Sequence, residues 1–186
     1  SKRTYILAFS YRRNRNSLWE FIKVIIISLA IVLPIRTFVA QPFIVEGSSM
    51  EPNFKNGQYL IIDELSYFLR DPKRGEVIVF RYPIMPSEYF IKRIVGLPGE
   101  TVNIKSGEVF ITTKEGKEII LEESYLPPTE TTSGGTWSLG DGQYFVLGDN
   151  RGASSDSRFW GILPKKNIIG RAFIRLWPIG EAKIIN

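Results

Sequence analysis

From Phe43 onward, short runs of β-branched and aromatic residues alternate with turns that carry glycine or proline. This alternation restricts the fold more narrowly than any other feature of the chain. The runs are Tyr59–Ile62, Val77–Arg81, Tyr89–Val95, Val109–Thr112, Tyr144–Leu147 and Phe173–Trp177. Between them fall Asn56-Gly57, Arg74-Gly75, Pro98-Gly99, Ser106-Gly107, Gly134-Gly135 and Gly140-Asp141-Gly142. No long helical period interrupts them; a short turn fits Asp63–Arg70. Residues 42–186 are expected to form one mainly β domain of coiled or barrel-like sheets. Glu122–Trp137, rich in Thr, Pro and Gly, reads as a mobile loop within it.

The segment before this domain has different chemistry. Leu18 to Phe43 is the most apolar stretch of the 186 residues. Its uncharged centre, Val24–Ile35, is too short to cross a bilayer alone, but Lys23 and Arg36 can snorkel. Counted from Trp19 to Val39, it holds about 20 residues, one bilayer's worth. Ile and Val occur all round rather than on one stripe, which favours a spanning helix over a buried core helix. A transmembrane anchor is therefore expected over 18–41. The flank AQPFIVEG offers no small-x-small site, so a cleaved leader is not expected. Residues 1–17 carry Lys2, Arg3, Arg12, Arg13 and Arg15 and no acid, while the rest holds as many basic as acidic side chains. That places the arm in the cytoplasm and the β domain across the membrane. A neutral body with a basic arm is not the footprint of a nucleic-acid-binding face.

The chain has neither cysteine nor histidine. A Ser-His-Asp triad, a thiol nucleophile and the usual zinc ligand sets are thereby excluded. If the chain is a hydrolase, its base must be Lys, Asp, Glu or Tyr. No cofactor and no metal are expected.

Three segments place polar groups in apolar settings. In the first, Phe43-Ile44-Val45-Glu46-Gly47-Ser48-Ser49-Met50-Glu51-Pro52, a strand enters a Gly-Ser-Ser turn. Such a turn presents a hydroxyl beside free backbone N–H groups, although serines in turns are usually structural. In the second, Tyr89 to Gly99, alternation puts Lys92 on one strand face with Phe90 and Ile94. Apolar neighbours disfavour the ammonium, and a lysine titrating near ~7–8 can act as a base where one near ~10.4 cannot. Taken alone, a lysine at a sheet edge with a solvated head fits as well. In the third, Gly148 to Arg158 is dominated by Gly, Asp, Asn, Arg and Ser and lies between an apolar strand and Phe159-Trp160. It reads as a hairpin loop or a buried polar network.

Together these segments resemble the type I signal peptidases. Ser49-Met50 with Pro52 resembles that family's nucleophile box, and Lys-Arg-x-x-Gly-x-Pro-Gly at 92–99 its lysine box. Gly-Asp-Asn-Arg-x-x-Ser-x-Asp-Ser-Arg at 148–158 resembles its most distinctive box, and Arg74–Phe80 the intervening strand. The resemblance implies that Ser49 attacks the scissile carbonyl and that Lys92 is its general base. It implies that Ser154 hydrogen-bonds the lysine, and that Asp149 with Arg93 and Asp156 with Arg158 support the site. The Ser49 N–H would donate to the oxyanion. Many members carry serine two residues before the nucleophile as a second donor; here that position is Gly47, and Glu51-Pro52-Asn53-Phe54 also departs from the frequent Pro-Thr-Leu. Ser48 is expected to point away. Gly47→Ser is expected to preserve or raise activity if φ at Gly47 is negative, and to lower it if φ is positive.

The implied substrates are signal peptides of secreted pre-proteins, and the other partner is the lipid bilayer. An extended substrate can add to a strand of the site. Phe43, Val45, Met50, Phe54, Phe90 and Ile91 are expected to line small pockets that accept alanine. The implied location is the plasma membrane, single-pass, with the catalytic domain outside the cytoplasm; a thylakoid membrane fits equally. A self-cleaving Ser/Lys protease and a silent tethered β domain are the rival readings.

Overall fold

Side chains branched at Cβ pack well on a pleated surface, and the anticipated runs become strands. The computed structural model describes residues 17–34, 41–127 and 132–185. The anticipated runs form β2 (Tyr59–Asp63), β3 (Val77–Arg81), β4 (Tyr89–Gly96), β6 (Glu108–Thr112), β9 (Gln143–Leu147) and β11 (Ile168–Trp177). The strand expected to enter the Gly-Ser-Ser turn is β1 (Gln41–Ile44), and five more were not anticipated: β5 (Thr101–Lys105), β7 (Glu118–Ile120), β8 (Gly135–Ser138), β10 (Leu163–Pro164) and β12 (Lys183–Ile184). Two one-turn helices, α2 (Ser66–Leu69) and α3 (Ser157–Trp160), join them; the first falls on the turn expected at Asp63–Arg70.

The strands pair antiparallel in two sheets. The larger follows the order β1-β2-β11-β3-β4-β9-β10, with β12 on β11; the smaller follows β7-β6-β5-β8. Among the described residues the larger sheet's path is open, from β1 to β10, and does not close into a barrel. Strand β4 lies inside that sheet and holds the lysine segment in register with its neighbours. Lys92 stands opposite Ile78, and Arg93 stands between Val77 on β3 and Leu147 on β9. Three buried clusters fill the interior. One joins Val45, Met50 and Phe54 to Leu60, Ile62, Val77, Val79 and Ala172. Each such side chain contributes roughly 1.5–3 kcal/mol on burial, so apolar packing holds the 46–58 turn from beneath. The second cluster lies between the sheets, around Val95, Val102, Ile111 and Phe145. The third lies on the Lys92 face of β4, around Ile78, Phe80, Ile94 and Val146.

Two expectations change in form. Glu122–Trp137 is not one loop: β8 begins inside it, Trp137 packs on Phe145 at 4.6 Å, and Thr132 is buried. Residues 128–131 of that stretch lie outside the described residues. At the other end, α1 (Ser17–Pro34) has 18 residues. That is about 27 Å at the α-helical rise, short of the ~30 Å hydrocarbon layer. Among the described residues, no helix is long and apolar enough to cross a membrane. Glu20 and Lys23 sit in the first turns of α1 and pair at 3.0 Å, so its uninterrupted apolar part is shorter still. Gln41, expected to end the anchor, is already in β1. The basic arm to residue 16 and the connection 35–40 lie outside the described residues.

Candidate active site

The turn after β1 is tied off by its own backbone. Val45 N–H donates to Gln58 O (2.9 Å) and Gly57 N–H to Val45 O (2.8 Å); Glu51 N–H donates to Ser48 O (3.0 Å). Gly47 has φ +82°, a left-handed conformation open to glycine at little cost, and its N–H is held by Asn56 Oδ1 at 2.9 Å. The reversal leaves Ser49 half-buried, its main-chain N–H without a hydrogen-bond partner among the described residues, while Ser48 is exposed.

Positive φ at Gly47 settles the sign of a substitution. A Cβ there meets no atom within 4 Å, so space is not the constraint; the backbone is. Gly47→Ala and Gly47→Ser should each lose about 1–2 kcal/mol of stability, and neither should gain activity. Turnover and thermal midpoints of the two variants check this. A serine variant faster than wild type would show that the turn re-forms with negative φ.

On β4, Lys92 is buried, and its Nζ donates to Ser49 Oγ at 2.8 Å and to Ile91 O at 2.9 Å. The amine lies 5.2 Å from the centroid of the Phe90 ring. Desolvation lowers its pKa to about 8, against the opposing pull of the Asp156 and Asp149 charges. A buried amine that loses its proton near neutrality, in contact with a hydroxyl, can take the hydroxyl proton.

Behind the pair, the segment after β9 forms a buried ionic lattice. Arg93 grips Asp149 through Nε–Oδ1 (2.8 Å) and Nη2–Oδ2 (2.6 Å). Arg158 grips Asp156 through Nε–Oδ1 and Nη2–Oδ2, both 2.8 Å. Both carboxylates are fully buried, and in such a place unpaired charge is costly, so the bidentate arginines are what make it tolerable. Asp156 also accepts from Gly148 N–H (3.0 Å) and caps α3 through Arg158 N–H (3.3 Å). The lattice is stapled to the turn that carries Ser49: Asn150 N–H donates to Ser49 O (3.0 Å), and Asn150 Nδ2 to Ser48 O (3.1 Å).

One expected bond is not formed. Ser154 is buried beside the site, but its Oγ has no hydrogen-bond partner among the described residues; the Lys92 protons go to Ser49 and to the Ile91 carbonyl instead. Of the expected pocket walls, Val45, Met50 and Phe54 are only 1–4 % exposed and face the core rather than an open groove. Phe90 is stacked on Tyr82 at 4.4 Å. Phe43 and Ile91 are half-buried, and Phe43 makes an edge contact with Tyr89 at 5.6 Å.

The structure adds residues that the sequence reading passed over. Arg151 is buried, donating through Nε to Gly148 O (3.0 Å) and through Nη1 to Thr132 Oγ1 (2.6 Å), and pairing with Glu123. Tyr125 lies under the Arg93 guanidinium at 4.0 Å and donates its hydroxyl to Glu123 at 2.6 Å. Burial next to Glu123 pushes that phenol far up, so it stays protonated. Asn53 reaches across to Asp149. Arg151 stood within the third polar run and could have been singled out there; Glu123 and Tyr125 sat in a stretch read as loop.

A serine hydroxyl held by a buried, titratable amine, with a free N–H behind it, is the equipment of an acyl-transfer hydrolase. Comparison with known proteins agrees. The family model "Signal peptidase, peptidase S26" matches residues 18–177. The chain is 39% identical over 179 residues to the probable signal peptidase I-2 of Synechocystis, covering 91% of this chain and 78% of that one. It is 39% identical over 182 residues to signal peptidase I of Leptolyngbya laminosa, covering 94% and 87%. A solved signal peptidase I from Enterococcus faecalis aligns at 30% identity with a TM-score of 0.47, over 55% of this chain and 97% of that one. The chain belongs to the signal peptidase family, peptidase S26. It is accordingly a serine-type peptidase that hydrolyses peptide bonds.

Proposed function

We propose that this protein is a membrane-anchored endopeptidase that removes signal peptides from secreted pre-proteins, with Ser49 as nucleophile and Lys92 as general base. The 2.8 Å contact between a buried Lys92 amine and Ser49 Oγ carries the reading. The neutral amine takes the serine proton as Oγ attacks the scissile carbonyl. The Ser49 N–H donates to the developing oxyanion. The resulting ammonium then protonates the leaving amine, which departs with the mature chain. In the second half, Lys92 takes a proton from the water that attacks the acyl ester, and the ammonium returns it to Ser49 Oγ as the ester bond breaks and the signal peptide leaves with a new carboxylate.

Strand geometry supports an extended substrate. β1 pairs with β2 on one side only, and β4 gains its β9 partner only from Arg93 onward. Among the described residues, 41–44 and 89–92 therefore each keep a free edge, brought side by side by the Phe43–Tyr89 contact. A peptide strand laid between them can pair with both and carry its carbonyl to Ser49.

α1, with the basic arm before it, is proposed as the anchor, the arm on the cytoplasmic side. Its apolar side chains are exposed, as a lipid-facing helix requires. The test is cleavage of a secretory pre-protein by the full chain in detergent, with the new N-terminus read by mass spectrometry. Cleavage after a small-x-small motif is expected. An intact pre-protein, or cuts at unrelated sites, would refute the proposal.

A further inference from the structure

Asn53 lies where the nucleophile turn departs from the frequent Pro-Thr-Leu, and both its side-chain nitrogen and its main-chain carbonyl are engaged. Its side-chain nitrogen donates to Asp149 Oδ2 at 2.9 Å and to the Tyr125 carbonyl at 2.8 Å. Its own carbonyl accepts from the guanidinium of Arg175, a buried side chain lying 5.2 Å over the Phe54 ring. Arg175 in turn reaches Glu181, which also accepts from Gln58 Nε2 at 2.9 Å. Three separate pieces of chain thus meet at one residue: the turn bearing Ser49, the 121–127 segment over Arg93, and Asp149 next to the lysine strand.

The amide is chemically matched to this place. Both of its neighbours are acceptors, so a side chain with two N–H donors satisfies them together. An aliphatic side chain would leave the Tyr125 carbonyl without that donor. A carboxylate would face the buried Asp149 charge. Asp149 is also one of the charges that act on Lys92, together with Asp156 from the same polar segment. Their arginine partners, Arg93 and Arg158, are fixed beside them, and Arg151 with Glu123 completes the charged surroundings.

We infer that Asn53 is a positioning residue for the reaction: it fastens the Ser49 turn to Asp149 and so fixes the hydroxyl against the Lys92 amine. This rests on the proposed roles of Ser49 and Lys92. Misplacing a reacting group by about 1 Å costs on the order of 100-fold, so Asn53→Ala should lower kcat by roughly 10- to 100-fold. KM should change little, because Asn53 touches no part of the substrate groove. Asn53→Asp, nearly the same shape, brings a second carboxylate beside Asp149. An added negative charge there favours the ammonium of Lys92, as Asp149 and Asp156 already do, and the acid limb of the pH–rate profile should move up by about one unit.

The experiment uses the full chain in detergent with a pre-protein substrate. kcat and KM are measured for both variants across pH, per folded molecule, with the folded fraction taken from thermal unfolding. A lowered kcat at constant KM in Asn53→Ala, with a raised limb in Asn53→Asp, supports the role. Wild-type kcat per folded molecule in Asn53→Ala overturns it, whatever happens to the thermal midpoint. Should the alanine variant not fold, an unmoved limb in Asn53→Asp overturns it equally. Lys92→Met in the same series separates the two levels. If Lys92→Met stays active, the Ser/Lys reading itself fails; if it is inactive and the Asn53 variants behave as wild type, only the positioning role falls.

Discussion

Ser49→Ala and Lys92→Ala should each lower pre-protein cleavage by at least about 10⁴-fold, since each deletes one half of the proposed proton-transfer pair. Lys92→Arg should be as inactive, because a guanidinium stays charged and cannot accept the proton. Lys92→Met separates catalysis from stability. The Lys92 pKa is lowered by burial from 10.5 to about 8, so between these values the unfolded chain binds more protons than the folded one. Wild-type stability should therefore rise with pH across that window. Below pH 8 the buried amine is charged, at a cost of about 3 kcal/mol. Methionine has similar length and no charge to bury. Lys92→Met should unfold at a higher temperature than wild type at pH 7, with the gap closing towards pH 10. Thermal melts at the two values decide this. A variant less stable than wild type at pH 7 would mean that the lysine is held by interactions stronger than its desolvation.

The second large effect concerns Gly148, at the end of β9. A Cβ there would stand 2.1 Å from Ser154 Oγ, 2.5 Å from Ser154 Cβ and 2.5 Å from the Ser49 carbonyl. The last is main chain of the nucleophile turn and cannot move without carrying Ser49 along. Gly148→Ala should therefore cost about 1–3 kcal/mol of stability, as overpacking does. A displaced hydroxyl should also reduce turnover by on the order of 100-fold. Gly152, four residues on, meets nothing within 4 Å, so Gly152→Ala is the matched control and should behave as wild type. Melting temperatures and turnover of the pair test the claim. Full activity in Gly148→Ala would show that the two loops slide apart freely.

The sequence carried the site further than it carried the fold. Strands that are strongly apolar and bounded by glycine, such as β3 and β9, were legible because pattern and punctuation agree. β8 was not, since it has four residues and pairs with β5, remote in sequence; β7 was not, since it has only three residues, although it forms a hairpin with β6. Lys92 could be read as buried from the apolar residues alternating with it, and the structure places Phe90 against its amine. The Asp149–Arg93 and Asp156–Arg158 pairs were legible only through family resemblance, because nothing local says which arginine meets which carboxylate. The Ser154 bond was expected on the same ground, yet its hydroxyl is left unpartnered. Residues such as Glu123 and Tyr125, which reach the site from the turn after β7, had no signal in a single sequence: their partners Arg151 and Arg93 lie far from them along the chain.

The measurement that bears most directly on the Ser/Lys pair is the pH dependence of kcat/KM for pre-protein cleavage by the wild-type chain. A buried lysine base with its pKa at about 8 should give a rate that climbs about tenfold per pH unit below that value and levels off above it. A limb falling instead at about pH 4–5, where carboxylates titrate, or a rate flat from about pH 6 to 10, would contradict the assignment of Lys92 as the base.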